Sequence, residues 1–223
     1  MLPWRTIDSL ETPEGRLELR QRGDRSAIIT IGGRVLMTSD AHRSERALAQ
    51  LACARIAGRA RAHVLLGGLG MGYTLRATLD ELPTTARVTV AELNSATIDW
   101  CRGPLASLTG DALADRRVKV VVGDVARVIG AAAAGAYDAI VLDLYEGPHQ
   151  ATNRPSDPVY GRAALERARK SLRPGGVLAI WSEEPDRPFE ARFGAAGFEV
   201  RRHVSGRGGR AHTIYIGARR PGG

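Results

Sequence analysis

The feature that most limits what this chain can fold into is an alternation of short apolar segments and amphipathic segments from residue 63 onward. The apolar segments are rich in valine, leucine and isoleucine, as expected of strands that are covered on both faces. The segments between them repeat apolar residues at helical spacing, so the order strand, helix, strand, helix predicts a doubly wound α/β fold. We predict strands at 62–68, 87–93, 117–124, 136–144 and 177–182, and helices at 72–82, 95–105, 125–134 and 160–172, the last ended by RPGG at 173–176.

The pattern differs at both ends of the chain. Residues 189–204 predict a helix and a strand, and a glycine-rich turn at 206–210 leads to another strand at 211–219, which together indicate an antiparallel hairpin. Five parallel strands followed by such a hairpin give the mostly parallel seven-stranded sheet of the class I methyltransferase fold. Residues 15–39 alternate and turn at RGD and GG, which predicts a small β-meander, and 44–58 predict a helix. We therefore divide the chain into an N-terminal β-meander, 1–43, and an α/β domain, 44–223.

A glycine-rich turn follows the first strand of the α/β domain, in HVLLGGLGMGYTLR at 63–76. Glycines in such number indicate that something has to come very close to the backbone there. A P-loop is excluded because no Lys-Ser or Lys-Thr pair follows, and the dinucleotide pattern G-x-G-x-x-G does not fit either. What remains is the looser G-x-G-x-G of S-adenosylmethionine sites, formed by Gly67, Gly68, Gly70 and Gly72.

Three acidic residues stand where three predicted strands end: Glu92, Asp124 and Asp143. Ligands of open α/β sheets bind beyond the carboxyl ends of the strands, so these acids and the glycine turn are expected at one edge. There Glu92 can accept hydrogen bonds from the hydroxyls of a ribose, and Asp124 can accept one from an adenine amino group. The alternative is that each acid only caps the helix that follows it. Three acids in register favour the nucleoside site.

The chain from about residue 28 to 220 resembles the spermidine synthase family of polyamine aminopropyltransferases and its shorter bacterial homologues. The resemblance lies in RVLMTSDAHRSERALAQLA, VLLGGLGMGYTLR, VTVAELNSATIDWCR, RVKVVVGDV, YDAIVLDLYEGP and LRPGGVLAIWS. It implies that S-adenosylmethionine or its decarboxylated form binds as co-substrate, with no metal, at Gly67, Gly68, Gly70, Gly72, Glu92, Leu93, Asp124, Val125 and Asp143. It also implies that Asp143 accepts the proton of an attacking amine, with Tyr145 and Glu146 beside it.

Three departures from the family pattern bear on the group transferred. The family's GGGDGG becomes GGLGMG, so the aspartate that helps to hold an aminopropyl group is replaced in the region of Gly70. Its D-x-x-D-P becomes Asp143 followed by Glu146, and Met37 stands near the position of a glutamine in the segment that closes over the site. The missing aspartate favours methyl transfer, whereas Asp143 with Glu146 favours aminopropyl transfer.

The chemistry that these residues could support is displacement at a carbon bound to a sulfonium. The enzyme then mainly aligns the nucleophile, and an acid attracts a cationic amine and takes its proton. Tyr145, Tyr160 and Trp181 could line the pocket of a small-molecule amine, because aromatic faces attract cations. We carry three hypotheses: an aminopropyltransferase, a methyltransferase acting on a small molecule, and a non-catalytic descendant that binds nucleic acid.

Composition bounds the remaining possibilities. The net charge is +8, but among the basic residues only Lys119 and Lys170 are lysine, which indicates a composition bias and argues against a nucleic-acid partner. No apolar run has the roughly 18 residues needed to cross a membrane, and no export signal is evident. Two separate cysteines, Cys53 and Cys101, suggest reduced thiols in a cytoplasmic protein. We predict a homodimer, because family members usually pair and the meander has an open edge.

Overall fold

The computed structural model describes residues 2–23, 26–152, 154–205 and 211–220. Eleven strands are formed within these ranges: β1 Arg5–Thr12, β2 Gly15–Arg22, β3 Ser26–Ile31, β4 Arg34–Thr38, β5 His63–Gly67, β6 Arg87–Glu92, β7 Val118–Val122, β8 Tyr137–Leu142, β9 Leu172–Ser182, β10 Phe198–Ser205 and β11 His212–Arg219. Six α-helices accompany them: α1 Arg43–Ala54, α2 Tyr73–Glu81, α3 Ser95–Arg102, α4 Val125–Ala131, α5 Arg162–Ser171 and α6 Arg187–Ala195. Short 3₁₀ turns lie at Ala106–Thr109, Ala112–Ala114 and Gln150–Thr152. The predicted turn at 206–210 and part of the RGD turn lie outside the described residues.

The large sheet has seven strands in the order β10-β11-β9-β8-β5-β6-β7. The pairs from β9 through β7 are parallel, and β11 and β10 add to β9 in antiparallel orientation. Apolar side chains cover both faces of the sheet, one together with α1, α2 and α3 and the other with α4, α5 and α6. The predicted α/β fold with a mostly parallel seven-stranded sheet and a final hairpin is confirmed.

The N-terminal sheet contains four antiparallel strands in the order β1-β2-β3-β4. The predicted meander began at residue 15 and missed β1, because the sequence RTIDSLET is mostly exposed and lacks an apolar face. The inner face of the sheet carries Leu17, Leu19, Ile29 and Ile31, which belong to the same core cluster as α1 to α3. The small sheet therefore shares one core with the helices on that side of the large sheet.

Two boundaries differ from the prediction for local reasons. The predicted stop RPGG is part of β9, which begins at Leu172 immediately after α5. Leu172 pairs with Tyr137 and Val177 pairs with Ala139, so residues 173–176 form a bulge within the strand pairing. Helix α1 ends at Ala54 and not at 58, because the amides of Arg55 and Ile56 bond to carbonyls only three residues back.

Candidate active site

The candidate site lies at the carboxyl ends of β5, β6 and β8, next to the point where the chain order reverses between β5 and β8. This is where open α/β sheets bind their ligands. The glycine loop (residues 67–72) joins β5 to α2 and is fixed on both sides. The amide of Gly68 donates to the carbonyl of Ala91 at 2.9 Å, and the amide of Asp143 donates to the carbonyl of Gly67 at 2.9 Å. The loop and the predicted catalytic acid are therefore held together through the backbone.

Gly68 is required where the two loops touch. Its φ is +85°, and a Cβ added there would lie 2.2 Å from the carbonyl oxygen of Asp143. Gly70 also has a positive φ, +52°, and an added Cβ would lie 3.0 Å from the Sδ and Cε atoms of Met37. The Sδ of Met37 accepts a hydrogen bond from the Met71 amide at 3.1 Å. Met37 on β4 thus packs against the glycine loop, at the place where the sequence predicts a departure from the family.

The other two predicted glycines have separate positions in the loop. Gly67 is the last residue of β5 and faces the side chains of Val125 and Leu142, which a Cβ would meet at 2.7 and 2.9 Å. Gly72 precedes the first residue of α2 as its N-cap. The structure thus brings all four predicted glycines, and Val125, to this edge of the sheet.

Glu92 ends β6 and is anchored by the backbone around it. Its Oε2 accepts from the amide of Leu69 at 2.8 Å and its Oε1 from the amide of Asn94 at 2.9 Å. Burial raises the pKa of the Glu92 carboxyl, although these amide bonds partly oppose the shift. Each carboxylate oxygen retains a second lone pair, so Glu92 can accept from two vicinal hydroxyls. Leu93, the next residue, exposes 60% of its surface and offers an apolar edge beside it.

Asp124 caps a helix, as the alternative interpretation had it. Its Oδ1 accepts from the amide of Ala126 at 2.8 Å, and Asp124 is the N-cap of α4. Among the described residues no donor is found for its Oδ2, which leaves this oxygen available to a ligand. The cap and the predicted adenine contact are therefore compatible.

Asp143 follows β8 and is half-buried at the edge of the sheet. Its Oδ2 accepts a hydrogen bond from Thr74 Oγ1 at 2.5 Å, in the first turn of α2. The pKa of Asp143 is raised to about 7, first by burial and second by the charge of Glu45, while the Thr74 bond opposes the shift. A carboxyl group with a pKa near 7 exchanges protons readily at neutral pH, as a general base must.

The two other predicted catalytic residues face the small sheet. Nη2 of Arg34, on β4, donates to Glu146 Oε1 at 2.5 Å and also to the Tyr145 hydroxyl. The Glu146 Oε2 lies 3.2 Å from Nε2 of His149. Burial acts to raise the pKa of Glu146, but the bonds from Arg34 and Tyr145 and the charge of His149 outweigh it and lower the pKa. Glu146 is thus already paired with the guanidinium of Arg34.

The aromatic residues predicted for the acceptor pocket occupy two positions. Tyr160 is buried and packs edge-on against Phe189 at 5.8 Å between ring centroids. Trp181 lies near the end of β9 and its ring centroid is 4.9 Å from that of His212. The carbonyl of Trp181 also touches Gly147, where an added Cβ would be 2.3 Å from it. Trp181 therefore borders the β8 loop (residues 143–150).

The sequence did not identify Glu45, Thr74 or Arg34 as site residues. Glu45 carried a detectable sign, because it occupies the same helical face as Leu48, Ala49 and Ala52, which are buried. A charged residue on the buried face of an amphipathic helix indicates a specific role. Thr74 and Arg34 show no such pattern, and their contacts arise only from the tertiary structure.

The described ranges contain neither a cluster of metal ligands nor a membrane-spanning helix. Within residues 2–23, 26–152, 154–205 and 211–220, no three His, Cys, Asp or Glu side chains come together as a metal site. No helix in that part of the chain is long and apolar enough to cross a membrane.

Sequence relatives of known activity align with the central part of the chain. It is 34% identical over 120 residues to putrescine N-methyltransferase 3 of Nicotiana tabacum, covering 54% of this chain and 30% of that enzyme. It is 32% identical over 128 residues to a polyamine aminopropyltransferase of Nitrosomonas europaea, covering 57% of this chain and 37% of that enzyme. The matched region therefore spans about a third of the length of these curated relatives.

Solved structures share the fold over nearly the whole chain. A spermidine synthase in complex with the transition-state analogue AdoDATO superimposes with a TM-score of 0.77 at 17% identity, covering 96% of this chain and 72% of the other. The spermidine synthase of Thermotoga maritima gives a TM-score of 0.74 at 18% identity, with the same coverage. The family model of the spermine/spermidine synthase domain matches residues 42–188, which include the glycine loop, Glu92, Asp124 and Asp143. The chain belongs to the spermine/spermidine synthase family.

Proposed function

We propose that this protein is a transferase that moves an aminopropyl group from decarboxylated S-adenosylmethionine to a small amine. The observation that carries the proposal is the position of Asp143, joined by a backbone hydrogen bond to the glycine loop, which in turn bonds to Glu92. The raised pKa of Asp143, about 7, suits a proton acceptor. A nucleoside held by Glu92 and the glycine loop places its sulfonium side toward Asp143. The family and its aminopropyltransferase members support the same reaction.

The proposed reaction is a single displacement. The lone pair of the amine attacks the carbon next to the sulfonium, the C–S bond breaks, and its electrons go to sulfur, which becomes a neutral thioether. The nitrogen loses one proton, and Asp143 accepts it. Alignment of nucleophile and carbon supplies most of the acceleration, and Asp143 supplies general-base catalysis of about 10² to 10⁴-fold.

Transfer of a methyl group from S-adenosylmethionine is the second candidate, and two observations favour it. Gly70 stands in the part of the loop where the family carries an aspartate, so this loop offers no acid to an aminopropyl ammonium. The putrescine N-methyltransferases are also among the relatives, at up to 34% identity. Both reactions use the same base and the same nucleoside site, and they differ in which carbon on sulfur is attacked.

The acceptor that we propose is a small primary amine or diamine such as putrescine, on which the tobacco relatives act by their name. The β8 loop would receive it, with Trp181 at its border and Glu146 as a second acid. Because Arg34 already pairs with Glu146, an incoming amine has to share or displace that contact.

The experiment is turnover of the purified protein with each sulfonium nucleoside and a panel of amines. Methylthioadenosine as product identifies aminopropyl transfer, and S-adenosylhomocysteine identifies methyl transfer. Glu92→Ala is expected to weaken binding of both nucleosides by roughly 1.5–3 kcal/mol, the range for a hydrogen bond involving a charged group. If neither product forms with any amine, the proposal is contradicted. It is also contradicted if Glu92→Ala leaves the nucleoside affinity unchanged. Binding to nucleic acid that weakens steeply with salt would instead support the non-catalytic alternative.

We also propose that the protein works as a cytoplasmic homodimer. Cys53 and Cys101 are both free and buried, which suits a reducing compartment. Strand β1 is an open edge of the small sheet, and a second copy of the chain could cover it.

A further inference from the structure

One peptide unit of the glycine loop is held by two sulfur atoms. The amide of Met71 donates to the Sδ of Met37 at 3.1 Å, and the carbonyl of Gly70 accepts from the Sγ of Cys101 at 3.2 Å. Burial, and after it the charge of Glu92, raises the pKa of the Cys101 thiol to about 12, so the thiol keeps its proton and can donate. Thiols and thioethers are weak hydrogen-bond partners. The peptide between Gly70 and Met71 is therefore positioned at both ends, but by weak bonds.

The two ends of this peptide face different surroundings. Cys101 on α3 is only 4% exposed, so the carbonyl of Gly70 faces the interior. Met37 on β4 and Gly70 itself are both half-buried. The amide of Met71 therefore faces the more accessible side, where β4 lies against the glycine loop. The polar group that the loop offers on this side is a donor.

The side chains around this amide add no charge from the loop. Residues 67–72 are Gly, Gly, Leu, Gly, Met and Gly, so the loop has no ionisable side chain. A Cβ at Gly70 would lie 3.0 Å from the Sδ and Cε of Met37, so the thioether fills the space in which a side chain of residue 70 would begin. The surroundings of the Met71 amide are thus an apolar thioether and bare backbone.

This arrangement suits one of the two charged groups of an amino-acid tail. An ammonium group has only donors, and the Met71 amide is another donor. A carboxylate has only acceptors, and its bond to a backbone N–H is charge-assisted, which makes it stronger than the bond to a thioether. Methionine has a flexible side chain that adapts to a new neighbour, so Met37 can release the amide when a better acceptor arrives.

We propose that the Met71 amide binds the carboxylate of an amino-acid tail on the nucleoside, and that Met37 occupies this donor until the ligand displaces it. The inference rests on the nucleoside site of the proposed function. S-adenosylmethionine has the carboxylate and its decarboxylated form lacks it, so the site prefers S-adenosylmethionine. The preference holds for either transferred group: this nucleoside is the co-substrate of methyl transfer, and it competes with its decarboxylated form in aminopropyl transfer.

Isothermal titration of three nucleosides tests the proposal. Methylthioadenosine has neither charged group, decarboxylated S-adenosylhomocysteine has the ammonium alone, and S-adenosylhomocysteine has the ammonium and the carboxylate. All three lack a sulfonium, so no group is transferred during the measurement. The full chain should bind S-adenosylhomocysteine about tenfold or more tightly than its decarboxylated form, which is the effect of one hydrogen bond to a charged group.

Two substitutions of Met37 separate the functions of its side chain. Met37→Glu places a charged acceptor next to the Met71 amide, so it should weaken S-adenosylhomocysteine binding by about tenfold or more and leave methylthioadenosine binding unchanged. Met37→Leu keeps an apolar side chain but removes the acceptor, so the preference for S-adenosylhomocysteine should remain or increase. Val35→Glu is the matched control, because it adds the same charge to β4 at a residue that is 58% exposed. It should keep the wild-type preference.

The inference is overturned if the wild type binds S-adenosylhomocysteine no more tightly than the decarboxylated form. An unchanged preference in Met37→Glu overturns it as well. If Met37→Glu does not fold, Met37→Leu decides, and a lost preference in that variant overturns the inference. The proposed function fails separately. A wild type that shows the preference but forms no product refutes the transfer and leaves the carboxylate site standing, whereas turnover without the preference refutes the site and leaves the transfer standing.

Discussion

At the scale of single residues, the site is governed by the ionisation of Asp143. Its pKa of about 7 lies above the ordinary value of 3.8 because of burial first and the charge of Glu45 second. A base works only when it is deprotonated, so kcat/KM for an amine should increase as pH rises through about 7. The same shift has a cost in stability, since the unfolded chain ionises this group more easily than the folded protein does.

Asp143→Asn separates these two effects. The folded pKa is raised, so the stability that the protonated carboxyl contributes is complete below about pH 4 and is lost as pH rises toward about 7. The asparagine keeps an acceptor for Thr74 but cannot ionise. We expect it to melt at least about 3 °C higher than the wild type at pH 8, with a smaller difference at pH 5. Single-turnover rate should fall by about 10²-fold or more, with nucleoside affinity unchanged.

Asp80→Asn, at an exposed acid on α2, serves as the control for the substitution itself. A full rate together with a lower melting temperature at pH 8 would show that Asp143 is structural and does not accept the proton.

At the scale of elements, the hairpin β3–β4 connects the small sheet to the β8 loop. Arg34 stands at the start of β4, and its guanidinium lies 5.2 Å from the centre of the Tyr145 ring while donating to Glu146. Glu146 itself adopts a positive φ of +59°, which is uncommon for a residue other than glycine and is maintained by its surroundings. The hairpin thus supplies a cation to the loop that is proposed to receive a cationic amine.

Arg34→Ala tests whether this cation competes with the acceptor. We expect the KM of the amine to fall by about two- to fivefold, because an exposed pair is weak and its removal frees Glu146. The pKa of Glu146 should rise, since the Arg34 hydrogen bond that lowers it is gone. Arg16→Ala, at an exposed arginine paired with Glu18 on β2, is the control. A higher KM would mean that Arg34 organises the loop for the acceptor.

Elements and site residues differed in how far the sequence predicted them. The strands and helices from β5 to β11 were predicted because their apolar periodicity is local, and Glu92 and Asp143 followed from their places at strand ends. Strand β1 was not predicted because it has no apolar face. The bulge in β9 was not predicted because it depends on pairing with β8. Glu45 and Arg34 reach the site from segments distant in sequence, so the residue spacing within either segment could not predict the contact.

At the scale of the whole molecule, β1 is one of the two edge strands of the small sheet. Among the described strands it pairs only with β2, and Ile7 lies at an irregularity in that pairing with 45% of its surface exposed. We predict a mass of about twice 23.9 kDa by light scattering at micromolar protein. Ile7→Lys should yield the monomer, because a charge on an edge strand opposes pairing. Val204→Lys, at an exposed position of β10, an edge strand of the large sheet, should remain dimeric. A wild-type monomer would contradict the prediction.

The contact between Gly68 and Asp143 bears on how the chain tolerates mutation. Any side chain at position 68 would meet the backbone of Asp143, so it would disturb the glycine loop and the candidate base at the same time. The glycine loop and the β8 loop therefore cannot diverge independently over evolutionary time. A substitution that moves the backbone of one loop has to be matched by a change in the other.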